Sequence, residues 1–243
     1  MRADASWKGK GGIFGGKVIA LLADCVRMPA EVDRLELASL WVEFSGSVVP
    51  GEADETVEVL HAGRSTATVR AVLEQDGRAK ASAMAKLVAA GQASVLPGRT
   101  LPPAASPDDL DDLVAPWGAL DYDPKLQVKV IDQGLVDGVI TTRAWLRVRP
   151  GHGDDLGVGG IEGVLLDLLP PGLFFTQVPP SFVPTIDFAL QLNPSSRAET
   201  GEWYWGEMRT EWSDGEFCAE TGELRRPDGT FVARGTQTRR IVA

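Results

Sequence analysis

A proline- and aspartate-rich interruption near the middle of the chain constrains its fold more than any other feature. The segment Leu96–Trp117, LPGRTLPPAASPDDLDDLVAPW, holds five prolines and four aspartates. Proline has no N–H to give a ladder and its ring breaks a helix, so the stretch makes neither a central strand nor a core helix. Structureless loops of this length are uncommon inside one domain, and it reads as an ordered linker along the surface. The chain then divides into an N-terminal half at 1–95, a linker at 96–118 and a C-terminal half at 119–243.

The two halves carry the same order of signals. In the first, a Gly-rich entry, GKGGIFGG, leads into KVIALLADCVRMPAE. Val18, Leu21, Leu22 and Cys25 approximate a 3.6-residue period, which predicts a short, largely buried helix that ends before Pro29. Strand-like runs follow at LASLWVEFSG, ETVEVLHAG, STATVRAVLEQ and RAKASAMAKLV, with a hairpin signal at Asp76-Gly77. In the second half, LQVKVIDQG and GVITTRAWLRVRP precede a helix candidate, IEGVLLDLLPPGLF, stopped by Pro170-Pro171. Strand candidates then run through PTIDFALQLN, GEWYWGEMRTEW, GEFCAETGELRR and FVARGTQTRRIV. QDGRAKASAMAKLV aligns without a gap on PDGTFVARGTQTRRIV, placing Asp228-Gly229 on Asp76-Gly77 and Gln237 on Ala85; Asp167 likewise falls opposite Asp24, and GGIFG at Gly11 echoes GGIEG at Gly159. A helix that is apolar on most faces must be wrapped, so each half is expected to curl an antiparallel sheet around one helix, an α+β fold with a cleft between the helices.

Composition narrows the function. Thirty-four acidic against 24 basic residues give a net charge of −10, which argues against coating nucleic acid. Two cysteines make no disulfide framework, and a cytoplasmic location is the simpler expectation. The apolar run Ile19–Ala23 falls far short of the roughly 20 residues of a membrane span. With only His61 and His152 no zinc or di-iron cluster forms, and no phosphate loop, dinucleotide fingerprint or GxSxG elbow is present, so no metal and no cofactor is expected.

Four segments in order, WLRVRP at Trp145–Pro150, LLDLLPPGLFF at Leu165–Phe175, PTIDFALQLN at Pro184–Asn193 and PDGTFVARGTQ at Pro227–Gln237, resemble the acyl-CoA thioesterase II-like family of double-hotdog proteins. The resemblance runs from about Trp7 to Val242, with the linker interrupting it. It implies a double hotdog fold, two tandem halves each with a helix wrapped by a curved antiparallel sheet. By motif it carries the water-holding Asp, Thr and Gln of the family onto Asp167, Thr185 and Gln237; where the family often has His after the Thr-x-Asp pair, this chain has Phe188. Those residue types suit the chemistry, since a carboxylate accepts a proton from water while a hydroxyl and an amide aim it. A backbone N–H at the start of a hotdog helix is the expected oxyanion donor. Glu162, five residues before Asp167, is the alternative carboxylate.

The first half keeps Asp24 and Ser39 at comparable places but has Ala85 where Gln237 stands, which suggests one complete site and one decayed counterpart. Cys25 lacks a base and reads as a small core residue. Neither histidine lies on a central helix, as a hotdog dehydratase would require. Arg64, Arg70 and Arg78 are read as solvating strand ends or pairing with the many acids rather than binding CoA phosphates. Trp203 and Trp205, alternating with Tyr204 and extended by Trp212, are expected to fill space between sheet and helix rather than line an acyl channel. The reading is thus hydrolysis of an acyl-CoA to acid and CoA, with an acyl- or aromatic-ligand-binding module and a carrier-protein thioesterase as rivals, and with homo-oligomerisation open through an exposed sheet edge.

Overall fold

The computed structural model describes residues 1–91, 96–114 and 118–242. Helix α1 is Gly15–Cys25 and α2 is Gly160–Leu168. The long strands of the first half are β1 (Leu35–Phe44), β2 (Asp54–Ala62), β3 (Thr66–Gln75) and β4 (Arg78–Ala89). Those of the second are β5 (Leu126–Val136), β6 (Val139–Val148), β7 (Thr185–Leu192), β8 (Tyr204–Ser213), β9 (Phe217–Arg225) and β10 (Phe231–Arg240). All ten form one antiparallel sheet in the order β2-β3-β4-β1-β7-β10-β9-β8-β6-β5. The halves meet at β1 and β7, where Val42 faces Phe188 and Leu40 faces Leu190. The α+β reading holds, and each helix contacts the strands of its own half.

The register shows how the halves correspond. An irregularity between Leu37 and Ser39 in β1 has its match between Thr185 and Asp187 in β7. A second pair lies between Val59 and His61 and between Thr210 and Trp212. A third lies between Leu73 and Glu74 and between Leu224 and Arg225. A bulge adds one residue to one strand and bends the sheet, so bulges at matching places give both halves the same curl around their helices. Counting from them puts Leu37 opposite Thr185, Ala85 opposite Gln237 and Leu87 opposite Arg239. Ser39 then corresponds to Asp187, and its comparison with the candidate site threonine is corrected. The GGIFG and GGIEG strings are not equivalent either: the first ends on the first residue of α1, whereas all but the first residue of the second lie within α2.

The two Asp-Gly turns also differ. Asp76 and Gly77 both have positive φ, 54° and 67°, the geometry of a two-residue primed hairpin. In the second, the Gly229 N–H donates to the Arg226 carbonyl and Gly229 alone is left-handed, at φ 84°, a turn that carries one more residue. A further primed turn joins β5 to β6 at Asp137-Gly138, with φ 52° and 81°.

The helices run antiparallel and touch through small residues. A Cβ on Gly16 would stand 2.7 Å from the Val164 Cα, and one on Gly163 2.6 Å from the Ile19 Cγ2. That closeness, with Ile19, Leu22 and Leu165 fully buried, brings the end of α2 against the start of α1. The linker residues within 96–114 lie along the second half's outer face; 115–117 fall outside the described residues. The Trp145 Nε1 donates to the Ala105 carbonyl at 2.9 Å, and the Lys129 Nζ to those of Pro107 and Leu110 at 2.8 and 2.6 Å. This position corrects the expectation for the Trp-rich strand. Tyr204 belongs to the core beneath the sheet, but Trp205 pairs with Trp145 on the opposite face and lies outside that core. Trp203 packs on the Arg147 guanidinium and Trp212 is exposed.

Candidate active site

Asp167 sits in the last turn of α2, an unfavourable place for a carboxylate, because the carbonyl end of a helix is itself negative. Its compensation comes from elsewhere in the fold. The tight helix pairing lays the carboxylate on the first turn of α1, where a Cβ on Gly15 would stand only 2.7 Å from the Oδ2. The bulge at the start of β7 turns Thr185 inward, and its Oγ1 lies 3.3 Å from the Asp167 Oδ1 and 3.1 Å from the Gln237 Oε1. Gln237, on the adjacent β10, is 4% exposed. The structure therefore brings Asp167, Thr185 and Gln237 into one hydrogen-bonded group with the threonine at its centre. A threonine hydroxyl has one proton and donates to one acceptor at a time. With the Gln237 amide turned so that its Nε2 donates to Thr185, the hydroxyl is free to donate to Asp167.

Arg239 completes the group and was missed in the sequence, where it reads as one of two basic residues closing a strand. Its side chain, like that of Asp167, is 6% exposed, and the two approach to 3.5 Å. The Nε donates to the Glu220 Oε2 at 2.7 Å, and another guanidinium nitrogen to the Val183 carbonyl at 3.2 Å. Burial pushes the Asp167 carboxyl above the ordinary carboxylate range, while Arg239, the Gly16 N–H and Thr185 oppose that rise. Only position along β10 could have signalled the arginine: Gln237 and Arg239 are two apart and share a face.

These residues border a cleft of about 350 Å³ between the halves. Asp167, Thr185 and Arg239 form part of its wall, and Gln237 lies behind Thr185. Phe14, Phe44, Tyr122, Leu168 and Phe182 are among its apolar lining, the composition of a small-molecule pocket with a few polar groups. The phenol of Tyr122, stacked on Phe14 at 4.4 Å, is pushed well up by burial.

Glu162 is not part of this group. It faces the other side of α2, where it accepts the Ala198 N–H at 3.0 Å. Asp24 abuts Gly157, just before α2, in the arrangement that mirrors Asp167 against Gly15, but the register places of Thr185, Gln237 and Arg239 are held in this half by Leu37, Ala85 and Leu87, which have no hydrogen-bonding side chain. Cys25 and Cys218 are buried thiols. His61, His152, Arg64, Arg70 and Arg78 lie away from the cleft, with Arg70 paired to Glu58 at 3.0 Å. Among the described residues no group of His, Cys, Asp and Glu could hold a metal, and no helix is long and apolar enough to cross a membrane.

Comparison with solved structures places the fold. A hot dog protein of unknown function from Alicyclobacillus acidocaldarius superposes with a TM-score of 0.83 at 21% identity, covering 100% of this chain and 92% of its own. A Novosphingobium aromaticivorans protein provisionally assigned as a thioesterase gives 0.81 at 22% identity, covering 100% and 94%. An acyl-CoA thioesterase II from Mycobacterium marinum gives 0.76 at 20%, covering 95% and 91%. At these identities the likeness shows the hot dog fold, here doubled. No curated protein matches the sequence. Residues 3–91 match the model of the acyl-CoA thioesterase N-terminal domain, and residues 99–241 that of the acyl-CoA thioesterase C-terminal domain. With both domains matched in tandem over most of its length, the chain belongs to the acyl-CoA thioesterase family.

Proposed function

We propose that the protein hydrolyses an acyl-CoA thioester to a free carboxylic acid and CoA, with water as the direct nucleophile. The observation that carries this reading is the Asp167–Thr185–Gln237 group at the wall of an apolar cleft. The acyl chain lies in the cleft, and a water held by Asp167 and Thr185 faces the thioester carbonyl. The water oxygen bonds to the carbonyl carbon as Asp167 takes its proton; the tetrahedral intermediate then releases the CoA sulfur, which leaves as the thiol once protonated. A carboxylate whose affinity for protons is raised by burial is a better base than one in water. Gln237 fixes the Thr185 hydroxyl, and Thr185 fixes Asp167. The first turn of α1 borders the same cleft at Gly15, and its positive end suits the charge that develops on the carbonyl oxygen.

The test is thiol release across short-, medium- and long-chain acyl-CoAs and one aromatic acyl-CoA. Wild-type protein is expected to release thiol above the blank with a dependence on chain length. Gln237→Ala, which installs the residue the first half carries at Ala85, should fold normally and turn over more slowly. An unchanged rate would remove Gln237 from the site. A folded wild type silent on every acyl-CoA, but active on a carrier-protein thioester or binding ligand without product, would overturn the acyl-CoA reaction.

A further inference from the structure

The inner face of the second half carries a row of polar residues that the duplicated fold does not need. Thr210 on β8 stands opposite Glu220 on β9, and Glu220 opposite Gln237 on β10. The matching row in the first half is Val59, Val69 and Ala85, in the same register. Next to that row, Arg239 stands beside Thr185, where the first half has Leu87 beside Leu37. One sheet architecture is therefore built twice, once with apolar side chains and once with a buried arginine and a buried glutamate. Burying charge costs several kcal/mol per ion unless geometry compensates, so packing does not account for the polar version.

The connections within the row run toward Asp167. The Thr210 Oγ1 donates to the Glu220 Oε1 at 2.8 Å, and the Glu220 Oε2 accepts from the Arg239 Nε at 2.7 Å. The Val183 carbonyl takes a second side of the guanidinium. Those partners leave one nitrogen, Nη2, buried without a hydrogen bond and 3.5 Å from the Asp167 Oδ1.

We propose that Arg239 is a positioning residue for Asp167: Glu220, itself held by Thr210, and the Val183 carbonyl anchor the guanidinium, which fixes the orientation and charge of the catalytic carboxylate. This rests on the reading of Asp167 as the base. The arrangement resolves a conflict in the site, because a carboxylate buried in an apolar cleft at a helix C-terminus would otherwise hold its proton and could not accept one from water. The groups that face Asp167 are Arg239 from β10, the Thr185 hydroxyl from β7, the N-terminal turn of α1 and the phenol of Tyr122; Glu220 on β9 stands behind the arginine. Arg239 is the cation in that set.

The informative variant is the double substitution Arg239→Leu with Glu220→Val, which copies Leu87 and Val69 and removes the arginine and the glutamate together, so that neither is left buried without the other. Titration of the Asp167 carboxyl by 13C NMR is expected to move up by about one pH unit or more. The acid limb of the kcat/KM profile for acyl-CoA should move with it, giving roughly a tenfold loss at low pH per unit of movement. Arg239→Lys, which keeps the charge, should lie closer to wild type. If the carboxyl midpoint in the double variant stays where it is in wild type, the proposal is wrong. If wild type hydrolyses no acyl-CoA, the reaction proposed above fails instead, and the NMR titration still decides the role of Arg239.

Discussion

Replacing Thr185 by valine removes one hydroxyl and leaves the shape of the side chain nearly unchanged. In the native site that hydroxyl stands 3.3 Å from Asp167 and 3.1 Å from Gln237, so two partners lose it at once. A hydrogen bond to a charged group contributes about 1.5–3 kcal/mol. If that contribution is expressed in the transition state, kcat/KM falls about 10- to 100-fold. The loss should appear in kcat, because the hydroxyl aims water and carboxylate rather than gripping the acyl chain. Stability changes for a separate reason: the buried Gln237 amide is left without its partner, at a cost of about 1–3 kcal/mol, which lowers the melting temperature by several degrees without unfolding the protein. Thr185→Ser keeps the hydroxyl and should recover most of the rate. Thiol-release kinetics and thermal unfolding on the three proteins make the comparison. A valine variant with wild-type kcat, or a serine variant as impaired as the valine, would refute the argument that the hydroxyl acts.

Glu162→Gln should leave turnover unchanged, because Glu162 holds the Ala198 N–H away from the cleft. Burial raises its carboxyl, so its ionised form weighs against folding as pH rises above the unfolded-state value. The stability of Glu162→Gln relative to wild type is therefore expected to improve between pH 4 and pH 7, as followed by denaturant unfolding. The thiols of Cys25 and Cys218, both pushed up to about 12 by burial, should be silent to a thiol reagent in native protein and appear together on unfolding; fast labelling of either would contradict their packing.

The order of elements was legible in the chain because its signals are local. Period, proline and Asp-Gly turns placed both helices and the runs that became the ten long strands, and the gapless match of Gln237 to Ala85 agrees with the bulges. Asp167, Thr185 and Gln237 were reached by motif, and the fold brings them together. Other features were hidden because they depend on contacts across the sheet. Trp205 read as a core aromatic, yet it pairs with Trp145 on the opposite face, where the Trp145 indole donates to the Ala105 carbonyl. Ser39 was matched to the wrong partner because bulges shift register without a mark in the sequence. Nothing in the sequence set Arg239 apart from the arginine that follows it. Its burial beside Asp167 requires β7, β9 and β10 to be adjacent, and the antiparallel meeting of α1 and α2 supplies the rest. The sequence by itself determined two wrapped helices and the residue types of the candidate site. Which half gathers a buried carboxylate, arginine, threonine and glutamine into one group was decided by tertiary structure, since the energy of a buried carboxylate depends on what three separate strands and a second helix place around it.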